Sequence, residues 1–278
     1  DESGSPGTIL TFFPWTGAHR GRHGTGQVTV TAFAVPRGSL GWWKDRAKRY
    51  NVSTMGPSVR FEQEVLNLYD PDGLQLELIA SLDGPAQNAA RHAGIPVEHA
   101  IGSFHSVSLL EQSVSEQRNE RTARLLTETM GFRPVQQQGN RLRYEVGDGG
   151  PGATVDLLYS AAEAPRGRLG AGTVHHIAWR TPDEEQQKSW QQELLGLDYN
   201  VTPILDRQYF QSIYFREPGG VLFEIATDGP GFAIDESAQE LGGKLMLPPQ
   251  YEPHRERIEA ELPPLDATTS ARIGTLTL

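Results

Sequence analysis

One segment of this chain is written twice. Asp70-Pro71-Asp72-Gly73-Leu74-Gln75-Leu76-Glu77 and Glu217-Pro218-Gly219-Gly220-Val221-Leu222-Phe223-Glu224 match position by position, each an acidic-Pro-x-Gly turn feeding a strand of alternating character. Upstream of each copy lies an apolar strand and then a helical stretch: Val28 to Val35 and Ser39 to Arg49 in one, Val174 to Trp179 and Asp183 to Leu195 in the other. A repeat of this length means a supersecondary unit used several times, and here the unit is a strand, a helix and a meander of strands. A third copy has Phe104 to Leu109 as its first strand, Gln117 to Thr129 as its helix and Ala153 to Leu158 as its last strand. At the start, Pro6-Gly7-Thr8-Ile9-Leu10-Thr11-Phe12-Phe13 matches only the turn and final strand of a unit.

Half a sheet with one apolar face must pair to bury that face. The expected architecture is therefore α+β, with βαβββ units paired into two barrel-like domains and the first unit truncated at its N-terminal side. The expected divisions are 1–26 for the remnant of the first unit, 27–100 for the second unit and linker, 101–170 for the third and 171–230 for the fourth. Residues 231–278, rich in Pro and Glu with a helix at Pro253 to Leu262, form an arm over the domains.

The fourth unit carries the chemistry. Val174-His175-His176-Ile177-Ala178-Trp179 sets a histidine on its opening strand, and Glu224 lies on its closing one. A histidine and a glutamate on short strands of one unit supply two ligands of a facial metal site, which points to a mononuclear metalloenzyme. Neutral imidazole and carboxylate suit Fe(II), Mn(II) or Zn(II), and spacing does not choose among them. In a regular pleat His175 would point to the opposite face from His176, although a bulge could return it to the pocket rim.

The chain has no cysteine, so disulfides, thiolate metal sites and a cysteine nucleophile are all excluded. Its formal charge of −10 and lack of any Lys/Arg-rich run argue against nucleic acid and for a small-molecule partner. No apolar run approaches the roughly 20 residues that span a bilayer, and no signal-like start is present, so the chain reads as cytoplasmic. A homo-oligomer is left open by the sequence.

Several stretches together resemble the vicinal oxygen chelate superfamily, that of glyoxalases, bleomycin-resistance proteins and extradiol dioxygenases. They are Pro36-Arg37-Gly38-Ser39-Leu40-Gly41-Trp42-Trp43, the run from Ile95 to His105, the pair His175-His176, and Arg207-Gln208-Tyr209-Phe210 leading to Tyr214 and Glu224. The resemblance is greatest to hydroquinone-type ring-cleaving dioxygenases and runs from about Ser5 to about Leu265. It implies an Fe(II) enzyme that opens a small aromatic ring with O₂, its metal held by two histidines and one glutamate. His176 and Glu224 fill two of those places. The third belongs to a histidine on the first strand of the first unit, which is expected upstream of residue 1, since the sequence opens on Asp1 rather than Met.

By the same resemblance His175 accepts a proton from the phenolic substrate; the alternative is a hydrogen-bonded structural histidine. Arg207 either orients a phenolate oxygen or is a solvated loop residue, and Tyr214, one hairpin before Glu224, donates to the substrate. His105 with Asp156 makes a candidate second site. It is disfavoured because the second unit offers Val28 and Thr29 where a histidine would stand, leaving Glu77 as a relic with a local hydrogen bond. His19, His23, His92, His99 and His254 have no partner at ligand spacing, and Gly219-Gly220 precedes a strand rather than a phosphate-binding helix. Two rival functions stay open: a Zn(II) or Ni(II) isomerase or lyase of the glyoxalase kind, and a non-catalytic binder of aromatic ligands.

Overall fold

The computed structural model describes residues 1, 4–13, 15, 17–85, 94–112, 116–160 and 164–262. His92 and the last sixteen residues of the expected arm lie outside them. Three strand-helix-meander units follow one another. The first comprises β1 (Gln27–Pro36), α1 (Leu40–Arg49), β2 (Ser53–Arg60), β3 (Gln63–Tyr69) and β4 (Gln75–Leu82). The next comprises β5 (Ser103–Gln112), α2 (Glu116–Arg124) running on into a π-helical turn at Leu125–Thr129, β6 (Arg133–Gln138), β7 (Arg141–Glu145) and β8 (Thr154–Ser160). The last comprises β9 (Ile177–Thr181), α3 (Glu184–Gly196), β10 (Leu205–Asp206), β11 (Phe210–Arg216) and β12 (Leu222–Pro230). The α4 helix (Arg255–Glu261) lies in the arm.

The β1 and β5 strands pair antiparallel, which joins two units into one eight-stranded sheet of order β2-β3-β4-β1-β5-β8-β7-β6. Its outer hairpins meet, because the Phe61 backbone N–H donates to Gln138 Oε1 at 2.9 Å and the Arg143 guanidinium lies 4.2 Å from the centroid of the Phe61 ring. The sheet therefore curls nearly shut. The remaining strands form a four-stranded sheet of order β10-β11-β12-β9. The α+β architecture thus takes the form of one complete barrel-like sheet and one half-barrel.

The expected closing strand of the first unit differs. Thr8 to Phe13 joins no ladder, since a lone strand without its own hairpin neighbour has nothing to pair with. It runs instead along a cavity beside His175 and His176.

One core binds the two sheets. Leu109, Val155 and Leu157 of the eight-stranded sheet share a buried cluster with Ile213, Phe215, Phe223 and Ile225 of the four-stranded one. Odd-numbered positions of β11 and β12 thus face this core, so by alternation Ser212, Tyr214 and Glu224 face the other way. The α3 helix backs the same strands. Asp183 Oδ1 caps it by accepting the Gln186 N–H, and fully buried Gln187 donates through Nε2 to the carbonyls of Gln211 and Ile225, both at 2.8 Å. The backbone beside the candidate ligands is therefore held from behind. Among the described residues no helix is long and apolar enough to cross a membrane.

Candidate metal centre

His176 Nε2 and Glu224 Oε2 face each other at 2.7 Å, so the structure brings together the two residues singled out as ligands. Ligand bonds of about 2.1 Å put neighbouring donors of an octahedron about 3 Å apart, so the pair is spaced to share one ion. Both side chains come from adjoining strand ends, because β9 pairs parallel to β12 with Phe223 opposite Ile177. Among the described residues no third His, Cys, Asp or Glu joins them in a metal-sized group.

The histidine pair departs from the expected pleat. Strand β9 begins at Ile177, so His175 and His176 lie on the approach to it, and the alternation rule does not send them to opposite faces. Their Nδ1 atoms are 2.8 Å apart and both rings line the same cavity of about 1650 Å³. His176 Nε2 donates to Glu224 Oε2, so its Nδ1 accepts from His175 Nδ1; were Nε2 to bind an ion instead, His176 Nδ1 would carry the proton and His175 Nδ1 would accept it. Burial lowers the pKa of His175, and the neighbouring His176 and Arg216 add to the effect.

Glu224 is 2% exposed. Burial pushes its pKa up, but hydrogen bonds from His176, Ser212 and Tyr214 outweigh that and hold it below the ordinary value. Tyr214 sits directly opposite Glu224 across the β11–β12 ladder, with its ring 5.8 Å from that of His176. Burial raises the Tyr214 pKa, as does the Glu224 charge. Arg207 Nη2 approaches Tyr214 Oη at 3.4 Å from an exposed position. Tyr214 and Arg207 flank the pair without lining the large cavity.

Two groups near the pair escaped sequence reasoning. Ser212 Oγ donates to Glu224 Oε1. Phe13 and Trp15 stack at 5.2 Å, and both rings meet His175 edge-on, at 5.4 and 5.9 Å. The aromatic run at 12–15 was visible in the sequence, whereas a single serine on a strand carries no signal.

The repeat allows a direct internal comparison. Glu77, Asp156 and Glu224 occupy equivalent positions, opposite Asn67, Arg143 and Tyr214. Glu77 is clamped by both terminal nitrogens of Arg60. Asp156, fully buried, accepts from Arg143 Nε at 2.8 Å and Nη2 at 3.0 Å, and from Arg141 Nη1 at 3.1 Å. Glu224 alone of the three is met by neutral donors and an imidazole, with no guanidinium in contact among the described residues. The His105–Asp156 candidate thus has a guanidinium where a metal would sit. His105 is buried beside it with its Nδ1 3.0 Å from Ser106 Oγ and its pKa lowered to about 4, by burial first and by Arg143 second.

The chain is similar to known proteins over most of its length. Residues 116–225 match the family described as Glyoxalase/Bleomycin resistance protein/Dioxygenase superfamily. MhqO of Bacillus subtilis (strain 168), provisionally named a ring-cleaving dioxygenase, is 46% identical over 266 residues, spanning 96% of this chain and 82% of MhqO. The chain belongs to this superfamily. A second member, the chlorohydroquinone/hydroquinone 1,2-dioxygenase of Sphingobium indicum, is 34% identical over 91% of this chain and 78% of its own length. Among solved structures, a provisionally named dioxygenase from Bacillus subtilis subsp. subtilis str. 168 superposes with a TM-score of 0.87 at 44% identity, over 95% of this chain and 82% of that one. Glyoxalase I from Zea mays shares the superfamily fold alone, with a TM-score of 0.50 and 15% identity over 76% of this chain and 69% of that one.

Proposed function

We propose that this protein is a metal-dependent ring-cleaving dioxygenase that opens a hydroquinone- or catechol-type aromatic ring with O₂. The observation that carries the metal half of this reading is the uncompensated charge of Glu224. A buried carboxylate stays ionised only if a cation or hydrogen bonds stabilise it, and one held by hydrogen bonds alone keeps a charge that can bind a cation. Glu77 and Asp156 have arginines for that purpose, while Glu224 is held ionised by hydrogen bonds and turned to an imidazole nitrogen. The ring-cleaving half rests on kinship with the two dioxygenases named above, which this chain matches over most of its length.

On this reading His176 and Glu224 are metal ligands, with Fe(II) as the ion; Mn(II) and Zn(II) suit the same donors. The third ligand is assigned to a histidine outside residues 1–278. When bound, the ion supplies Lewis acidity and a redox-active path between an electron-rich ring and O₂. His175 takes a phenolic proton: its lowered pKa keeps it neutral at pH 7, and its Nδ1, whose lone pair faces His176, becomes the base by exchanging that contact for the substrate O–H. Tyr214, supported by Arg207, keeps its own proton; in the free protein that proton goes to Glu224, and with substrate bound it is redirected toward a substrate oxygen. Phe13 and Trp15 wall the histidine pair with apolar surface that excludes water and accepts an aromatic face.

The test is made with protein produced from its full reading frame and loaded anaerobically with Fe(II). Oxygen uptake is followed with a panel of hydroquinones and catechols. Uptake matched one-to-one by loss of the aromatic absorbance is expected. No uptake with any of them, from protein that has bound iron, refutes the reading.

A further inference from the structure

Glu224 has a long side chain whose last torsion joins an sp³ carbon to an sp² carbon. Such torsions are broad and roughly two-fold, so nothing intrinsic fixes the plane of the carboxylate. What fixes it must come from neighbours. Ser212 lies on β11 opposite Ala226, the small residue two positions beyond Glu224, which makes Ser212 and Glu224 diagonal neighbours on one face of the ladder. Its hydroxyl donates to Glu224 Oε1 while Oε2 meets His176 Nε2. Ser212 is 0% exposed, so water does not compete for that bond.

Resting on the metal reading above, we infer that Ser212 is a positioning residue for the metal centre, occupying Oε1 so that Oε2 stays aimed at the ion shared with His176. The repeat supports a specific role. The positions equivalent to Ser212 are Val65, opposite Ile79, and Arg141, opposite Leu158. Val65 offers no donor to its carboxylate, and Arg141 delivers a charge to Asp156. Only the unit that carries Glu224 sets a neutral donor there, the one kind of group that orients a carboxylate without cancelling the charge a metal needs. The serine's own backbone is well anchored, since Gln187 bonds the carbonyls of Gln211 next to it and of Ile225 next to Glu224.

The experiment measures Mn(II) binding to the full-length protein by the electron paramagnetic resonance of free Mn(II), for wild type, Ser212→Ala, Ser212→Thr and His176→Ala. Losing a partner that orients a ligand costs about 10- to 100-fold in metal affinity. Ser212→Ala is expected to lose that much in a protein that stays folded by circular dichroism, while Ser212→Thr, which restores a hydroxyl, returns to within about threefold of wild type. Ser212→Ala within twofold of wild type overturns the inference, as does a Ser212→Thr protein as weak as Ser212→Ala, which would mean that packing rather than the hydroxyl matters. A wild type that binds no better than His176→Ala removes the metal reading itself, and is told apart by that control.

Discussion

Glu111 and Glu217 form a buried acidic pair where the eight-stranded sheet meets the four-stranded one, and replacing Glu111 by Gln should flatten the pH dependence of stability. Glu217 takes every available donor: Thr122 Oγ1 at 2.6 Å and the backbone N–H groups of Gly219 at 2.7 Å and Val221 at 2.6 Å. Glu111, 5% exposed, has an Oε1 with no partner among the described residues. Its pKa is raised from 4.5 to about 8, by burial first and by the Glu217 charge second, with Arg166 opposing. The folded protein thus binds a proton that the unfolded chain has already released. Stability is greatest below pH 4.5, falls as pH rises towards 8, and is constant with respect to this group above that. A displacement of this size corresponds to about 5 kcal/mol, which is a ceiling because the two acids share the effect. Gln is neutral throughout and nearly isosteric. Urea midpoints of both proteins at pH 5, 6.5 and 8 should nearly coincide at pH 5 and diverge by about 2–4 kcal/mol in favour of Glu111→Gln at pH 8. Parallel curves for the two proteins would show that Glu111 is ionised in the native state, and would refute the reasoning.

Asp156→Asn leaves Arg141 and Arg143 without their counter-charge, so thermal unfolding should show a loss of about 3–5 kcal/mol, while Mn(II) affinity at His176, which makes no contact with this ion cluster, stays put. Gly219→Ala would drive a Cβ into the Glu111 carboxylate and should destabilise the fold by about 1–3 kcal/mol; because the colliding atoms belong to one side chain, Glu111→Ala should make the second substitution nearly free, and a denaturation double-mutant cycle measures that coupling. His175→Gln should lower kcat far more than it raises KM, because it removes a base and leaves the ligands in place. Since the His175 pKa lies below 6.5, the wild-type acidic limb should fall below that pH, and a limb unchanged in the variant would assign it to another group.

The βαβββ repeat was legible because its turn chemistry is loud: an acidic residue, a proline and a glycine before an alternating strand mark the same place in two of the units. The closeness of Glu224 to His176 was legible because Glu224 lies at the same offset from its turn as Glu77 does, and His176 stands on the opening strand of the same unit. Alternation was no guide to His175, because the strand starts three residues later than the apolar run of Val174 suggested and alternation counts only inside a strand. Arg60, Arg141 and Arg143 were invisible as core residues, since charges on hairpin strands read as solvated faces until the barrel's curl turns them inward. Ser212 had no signal at all. Thr8 to Phe13 matched a strand in composition, but pairing needs a neighbour and composition does not supply one.

The three equivalent carboxylates also bear on how the protein responds to its surroundings. Two of them carry their cation on a covalent tether, as Arg60 or as Arg141 with Arg143, and on the proposed metal reading the third borrows one from solution. A tethered cation cannot be chelated, exchanged or oxidised away. Metal starvation would therefore reach the half-barrel alone, and the eight-stranded sheet would persist as a rigid cradle in which the emptied half could be reloaded.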